Sequence, residues 1–406
     1  MLLTFLRNIR RLSKYRNIRQ YFLLTILTNL WFAESSWLFF WRTFISYEEI
    51  GIIDALAFGF GMFIEIPTGA LADIIGKRNT IVASYIFSAL GIFIMSQTTG
   101  WFHLLVGMLF FQLGFALYSG TAEALCYDSL LEEKQEAEYE SVISITSILI
   151  LLATIVATFI GGTLLYAVHI RLPYIFWGLT QVVGLAVALT LTEPLSEVKT
   201  FTVNNYIHQL LQGSKLLFSK PLRKYIVSIF SILGIYFVYE FGILKPALAV
   251  SFGFNEKALG VLTPIMYILS AVMIYNLHKL RKLFGDSNGL LVLSFGIGAC
   301  LLISTLGLGI WGFVPLILLS ILGNLGNPWL SVIINSQISS EYRATVLSSV
   351  AFVTKLPYVF MSVMLGSSLE GGLLYDFNIL LSIIIFASIF IPILWSFKER
   401  RRGVVL

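Results

Sequence analysis

The chain has 406 residues, 57% of them hydrophobic and 12% charged, with a formal net charge of +5. Soluble domains carry about 25% charged residues, so this composition excludes a water-soluble fold and points to an all-α integral membrane protein. A membrane-crossing helix takes about 20 mostly apolar residues, and the length accommodates twelve of them with short loops.

Before the first apolar stretch, Arg7, Arg10, Arg11, Lys14, Arg16 and Arg19 stand without an acid. A long span follows them, not a short signal core with a small-residue cleavage site. They therefore read as a cytoplasmic anchor, and neither as a signal peptide nor as a nucleic-acid-binding arm. Predicted spans then lie near 21 to 44, 50 to 71, 80 to 98, 101 to 127, 141 to 168 and 172 to 192. A polar connection over 193 to 224 follows, in which Tyr206, Leu210, Leu211, Leu217 and Phe218 suit a short interfacial helix. Six more spans lie near 225 to 246, 257 to 278, 288 to 306, 310 to 336, 345 to 368 and 374 to 397. This organisation divides the chain into a bundle over 1–192, the connection, and a bundle over 225–406. Cys126 and Cys300 both fall in apolar runs and read as core residues.

Cytoplasmic loops hold the excess of Lys and Arg. With the N-terminus inside, only Arg42, Arg171, Lys245 and Lys257 of the 27 basic residues fall in outer loops, and Lys355 falls within span eleven. All the others are on the inner side, so both termini are expected in the cytoplasm.

The two sets of spans resemble each other. GALADIIGKR (Gly69 to Arg78) follows span two and HKLRKLFGDS (His278 to Ser287) follows span eight, with Gly76 matching Gly285. YDSLLEEKQEAEYESVIS at the end of span four pairs with INSQISSEYRATVLS at the end of span ten, so that Asp128 matches Asn335. Such self-similarity at half the chain length marks parallel repeats. The GALADIIGKR loop resembles the signature loop of the major facilitator superfamily, with Gly69, Leu71, Ala72, Asp73, Gly76, Lys77 and Arg78 matching and Ile74 departing from a frequently basic position. The longer run EIPTGALAD and the YDSL and RATVLS segments resemble drug-efflux-like members. The resemblance implies twelve helices in two pseudo-symmetric six-helix bundles, a monomer, and alternating access.

The physics of the loop stands apart from the family. Gly69 and Ala72 let helices approach closely, and Gly76 permits a sharp turn. Asp73 at the inner rim suits the N-terminus of span eleven near Arg343 to Thr345, where the helix dipole favours negative charge, and would latch the halves together. Its plainer role is a helix-terminal acid in a positive-inside loop.

Ionisable groups deep in a span are costly and mark function by default. Glu34 in span one, Glu240 in span seven and Lys355 in span eleven stand deepest, whereas Asp54, Glu65 and Glu123 lie nearer the rims. Trp31, Glu34, Trp37 and Trp41 share one helical face by spacing, a setting that suits a cation; Trp41 also suits an interfacial belt. Tyr236 and Tyr239 flank Glu240, and Lys355 reads either as a counter-ion to one acid or as a binding group for an anion. The family resemblance puts spans one, four, seven and ten around a central cavity. Gln112 of span four and Asn324 and Asn327 of span ten are then its polar candidates, with Gly323, Gly326 and Pro328 weakening span ten into a bendable helix. Span four has no Arg or Lys, so the arginine of many proton-coupled relatives is missing.

No GxxxxGK[S/T] is present, and His103, His169, His208 and His278 are scattered singly. ATP-driven transport, a metal site or other cofactor, and an intramembrane enzyme are thus disfavoured. The expectation is a secondary carrier in the plasma membrane of a prokaryote that exports amphipathic, cationic or neutral small molecules in exchange for protons. Uptake or exchange of a polar or anionic metabolite, and a non-transporting sensor, are the alternatives.

Overall fold

The computed structural model describes residues 2–194, 211, 215, 230–337 and 340–401, and these form helices and turns with no strand among them. Helices satisfy their own backbone hydrogen bonds, which lipid cannot do for them. The interfacial helix expected in the connection lies outside the described residues, apart from Leu211 and Lys215, which are helical.

The chain opens with α1 (Leu2–Leu12), whose last-turn Arg10 and Arg11 complement its dipole. Arg11 pairs with Glu138 at 2.6 Å. Span one, expected as a single helix, is two: α2 (Arg16–Thr28) and α3 (Trp37–Arg42), parted by eight non-helical residues. Asn29 ends α2 by donating its side-chain amide to the Thr25 carbonyl, a local bond that competes with helix propagation. The helix α4 (Tyr47–Ile75) is followed by Gly76 at φ +88°, a conformation that a side chain would strain, and then by α5 (Lys77–Ser96). Span four is likewise two helices, α6 (Trp101–Tyr118) and α7 (Thr121–Glu132), separated at Gly120. Next come α8 (Tyr139–Ile160), a π-helical turn (Gly161–Leu165), α9 (Tyr166–Val168) and α10 (Leu172–Ala188).

Beyond the connection, a π-helical turn (Phe230–Gly234) leads into α11 (Ile235–Glu240). The chain breaks over three residues and resumes as α12 (Leu244–Ser251), with a 64° bend between the two arms. Then follow α13 (Glu256–Tyr275), α14 (Leu277–Phe284), Gly285 at φ +71°, α15 (Asp286–Ile303), α16 (Phe313–Gln337), α17 (Ser340–Glu370) and α18 (Leu374–Arg401). In span ten, where a weakened helix is expected, α16 runs unbroken with Pro328 inside it.

Six helices among the described residues are long and apolar enough to cross a membrane, and a seventh span arises if α11 and α12 are taken together. The protein is therefore multi-pass. Two compact units form by internal packing, the first drawing on residues within Met1–Ile45, Leu56–Tyr206 and Glu256–Pro264, the second on Ser46–Ala55, Ile207–Asn255 and Ile265–Leu406. In the first, α5 and α6 meet at Gly91 and Gly107, where a Cβ would run into the opposite backbone. Its core gathers Phe22, Leu24, Tyr85, Leu125, Cys126 and Val142. In the second, Gly289 on α15 accepts the ring of Trp329 from α16.

Candidate substrate and proton site

In the first unit the break in span one is held by packing. The Phe32 carbonyl lies where a side chain on Gly161 would be, and Ser35 Oγ, near Gly162, donates to the Thr158 carbonyl at 3.2 Å. Two consecutive glycines in the π turn thus make room for the unwound chain. Glu34 sits in this break and is 7% exposed. The helical face expected of Trp31, Glu34, Trp37 and Trp41 does not form, because the first two residues lie outside any helix. Aromatic rings gather here all the same: Trp31 meets Trp177 at 5.5 Å, Phe111 meets Trp177 at 5.0 Å, and Trp37 meets Trp41 edge-on at 5.5 Å. Trp41 is no interfacial ring; it is buried and donates its indole N–H to Tyr174 Oη at 2.7 Å.

In the second unit Glu240 is the last residue of α11, at the edge of the other break. Its Oε1 accepts from Lys245 Nζ at 2.7 Å, and both side chains are buried. Lys245 was expected in an outer loop. It is instead buried in α12, and its ammonium faces the Tyr267 ring at 5.7 Å. A polar network continues from the pair. Ser320 Oγ approaches Glu240 Oε2 at 3.5 Å, Asn324 Nδ2 donates to the Ser320 carbonyl at 2.8 Å and lies 3.4 Å from Ser270 Oγ, and Tyr236 Oη donates to Asn324 Oδ1 at 2.8 Å. Gly323 admits the Tyr236 ring. A buried ion pair needs partners for its remaining lone pairs and protons, and here the Ser320 hydroxyl stands beside the carboxylate and the Tyr267 ring beside the ammonium.

A family model of the Major Facilitator Superfamily matches residues 18–362. The chain belongs to that superfamily. No curated protein matches it. Among solved structures, a mutant form of the nucleoside transporter NupG superposes with a TM-score of 0.76 at 15% identity, covering 93% of this chain and 99% of that one. A POT family transporter in complex with a thioalcohol-conjugated peptide gives 0.68 at 16% identity, covering 94% and 96%. A POT family transporter in complex with 5-aminolevulinic acid gives 0.64 at 16% identity, covering 96% of each chain. The facilitator fold and the family make this chain a transporter and not an enzyme.

Within that facilitator frame the expected residues fall in three groups. Glu240, Tyr236 and Asn324 share one network, which Lys245, Ser320 and Ser270 complete. Tyr239 spends its hydroxyl on the Leu316 carbonyl at 2.8 Å, a helix-packing bond, and Asn327 is exposed and outside the network. Glu34, Trp31 and Trp37 belong to the aromatic break, with Gln112 buried on α6 against Gly61. Lys355 is half-buried on α17. Asp54, ranked low from sequence, is 3% exposed.

The facilitator loop has its own geometry. Lys77 pairs with Asp128, and both carboxylate oxygens of Glu193 accept from the backbone N–H groups of Lys77 and Arg78 at 2.7 Å. Glu193 thereby caps α5 where the helix dipole favours an anion. The side chains of Asp73 and Arg343, and the surroundings of Gly69, lie outside the described residues. Neither Glu193 nor Lys245 was singled out in the sequence. Glu193 is far from the loop in the chain, whereas Lys245, five residues after a buried acid, was a readable signal.

Proposed function

We propose that the protein is a proton-coupled secondary carrier of a small polar solute, neutral or zwitterionic, working as a monomer by alternating access through twelve spans with both termini in the cytoplasm. The observation that carries this reading is the buried Glu240–Lys245 pair with its hydroxyl and amide network. One full charge of each sign and several neutral donors and acceptors, in a helix break, suit a solute that presents both hydrogen-bonding senses. A lone cation would meet a carboxylate already neutralised by Lys245. The neighbours named for nucleosides and for a conjugated peptide agree with transport of such a solute. Export of amphipathic cations is the second reading, favoured by the aromatic rings around the Glu34 break.

The coupling proton is carried by Glu34, Glu240 or both. A carboxylate that takes up a proton on one side and gives it up as the solute binds links the two fluxes without the span-four arginine. Proteoliposomes with an imposed proton gradient, screened with nucleosides, short peptides, amino acids and lipophilic cations, test both readings. Single Glu→Gln substitution at the coupling position should abolish gradient-driven accumulation while solute exchange persists. If both variants still concentrate solute, coupling through these acids is wrong. Asp73→Asn should slow transport and spare binding if that residue latches the inner side.

A further inference from the structure

Asp54 is buried in α4, and no basic side chain forms an ion pair with it among the described residues. Its one side-chain partner is Tyr358 of α17, whose Oη donates to Oδ2 at 3.0 Å. The same Oη lies 3.4 Å from the carbonyl oxygen of Phe241, in the break between α11 and α12. A phenol has one hydrogen and here has two acceptors. Gly242 leaves room for the ring, since a Cβ there would lie 2.8 Å from Cε2 of Tyr358.

We propose that Asp54 is a further proton-binding site and that Tyr358 carries its state to the break in span seven. With Asp54 ionised, the phenol hydrogen points to the carboxylate, because a hydrogen bond to a charged acceptor is the stronger one. The Phe241 carbonyl, beyond the last residue of α11, is then left with the longer contact. When a proton from water adds to Asp54, the new carboxylic O–H donates to Tyr358 Oη. The phenol hydrogen turns to the Phe241 carbonyl. One proton is gained, no covalent bond breaks, and one hydrogen-bond direction reverses beside the residue that follows Glu240. One turn further along α17 the neutral Ser362 donates its hydroxyl to the Tyr358 carbonyl. Nearby, Glu240 is paired with Lys245, and Lys355 stands one turn before Tyr358 on α17. The inference deepens the proton-coupled reading and rests on it for its physiological role.

Infrared difference spectroscopy of the purified full-length protein, stepped between about pH 8 and pH 5, reads the site without any substrate. The band of a protonated carboxyl group should appear on acidification, vanish in Asp54→Asn, shift to higher frequency in Tyr358→Phe, and persist in Glu240→Gln. A wild-type spectrum from Asp54→Asn, or an unshifted band in Tyr358→Phe, overturns the assignment. The link to the break is read by labelling Phe241→Cys with an impermeant maleimide, Phe241 being 44% exposed and both native cysteines buried. Relative to the Asp54→Asn, Phe241→Cys double variant, labelling should slow roughly threefold at the acid end, the scale of one hydrogen bond. Equal rates overturn the relay. A carrier that proves independent of protons would be exposed by the Glu34→Gln and Glu240→Gln transport assays instead, so the two failures differ.

Discussion

The two helix breaks each interrupt the first predicted span of a half and each have a buried acid, Glu34 within one and Glu240 at the edge of the other. Their surroundings differ. The first break is long, seated on Gly161 and Gly162 and faced with indoles, whereas the second is three residues long and its acid is neutralised by Lys245. Two interruptions of a helix thus carry unlike chemistry. The side chains around each interruption, and not the interruption itself, set its chemistry.

The contrast is broken most forcefully at the ion pair. Glu240→Gln should strand the Lys245 ammonium in a buried setting and cost about 3–5 kcal/mol, seen as a lowered thermal midpoint in detergent. The Glu240→Gln, Lys245→Met double variant should recover much of that stability yet stay inactive in accumulation. Recovery of accumulation as well would reduce the pair to scaffolding.

Next in size, Gly161→Val should drive a side chain into the Phe32 carbonyl and cost about 1–3 kcal/mol, with loss of transport. The same change at Gly307, where a Cβ would meet nothing within 4 Å but φ is +62°, should cost less and spare transport. Comparable losses at both would mean that the first break does not depend on close packing.

Removal of the cap by Glu193→Ala should cost about 0.5–2 kcal/mol, read by thermal unfolding, with substrate affinity unchanged. Smallest is Tyr236→Phe, which deletes one donor to Asn324 for about 0.5–1.5 kcal/mol and should raise the KM of a polar solute several-fold while leaving lipophilic cations untouched. An unchanged KM for polar solutes would take the binding role away from this network.

Much of this molecule was legible in its residues. The helical membrane class followed from composition, and Gly76 and Gly285 announced two equivalent turns that the structure has at φ +88° and +71°. The breaks were not legible, because hydropathy registers how oily a stretch is and not whether its backbone bonds to itself. Residues 29–36 lie in a largely apolar predicted span while unwound, and what makes room for them is a glycine pair more than a hundred residues away. Lys245 was misplaced for a related reason: a charge near the expected edge of a span reads as solvent-facing until its partner is seen. Asp54 was underrated by the same habit, since distance from a rim along the chain says little about burial.

The clasp of Glu193 on the start of α5 also bears on how the chain can be divided. A gene cut to yield two co-expressed polypeptides would have to leave Glu193 with the first of them. A cut one residue earlier would hand the anchor of the signature loop to the wrong fragment, so that its arrival would depend on reassociation and no longer on covalent continuity.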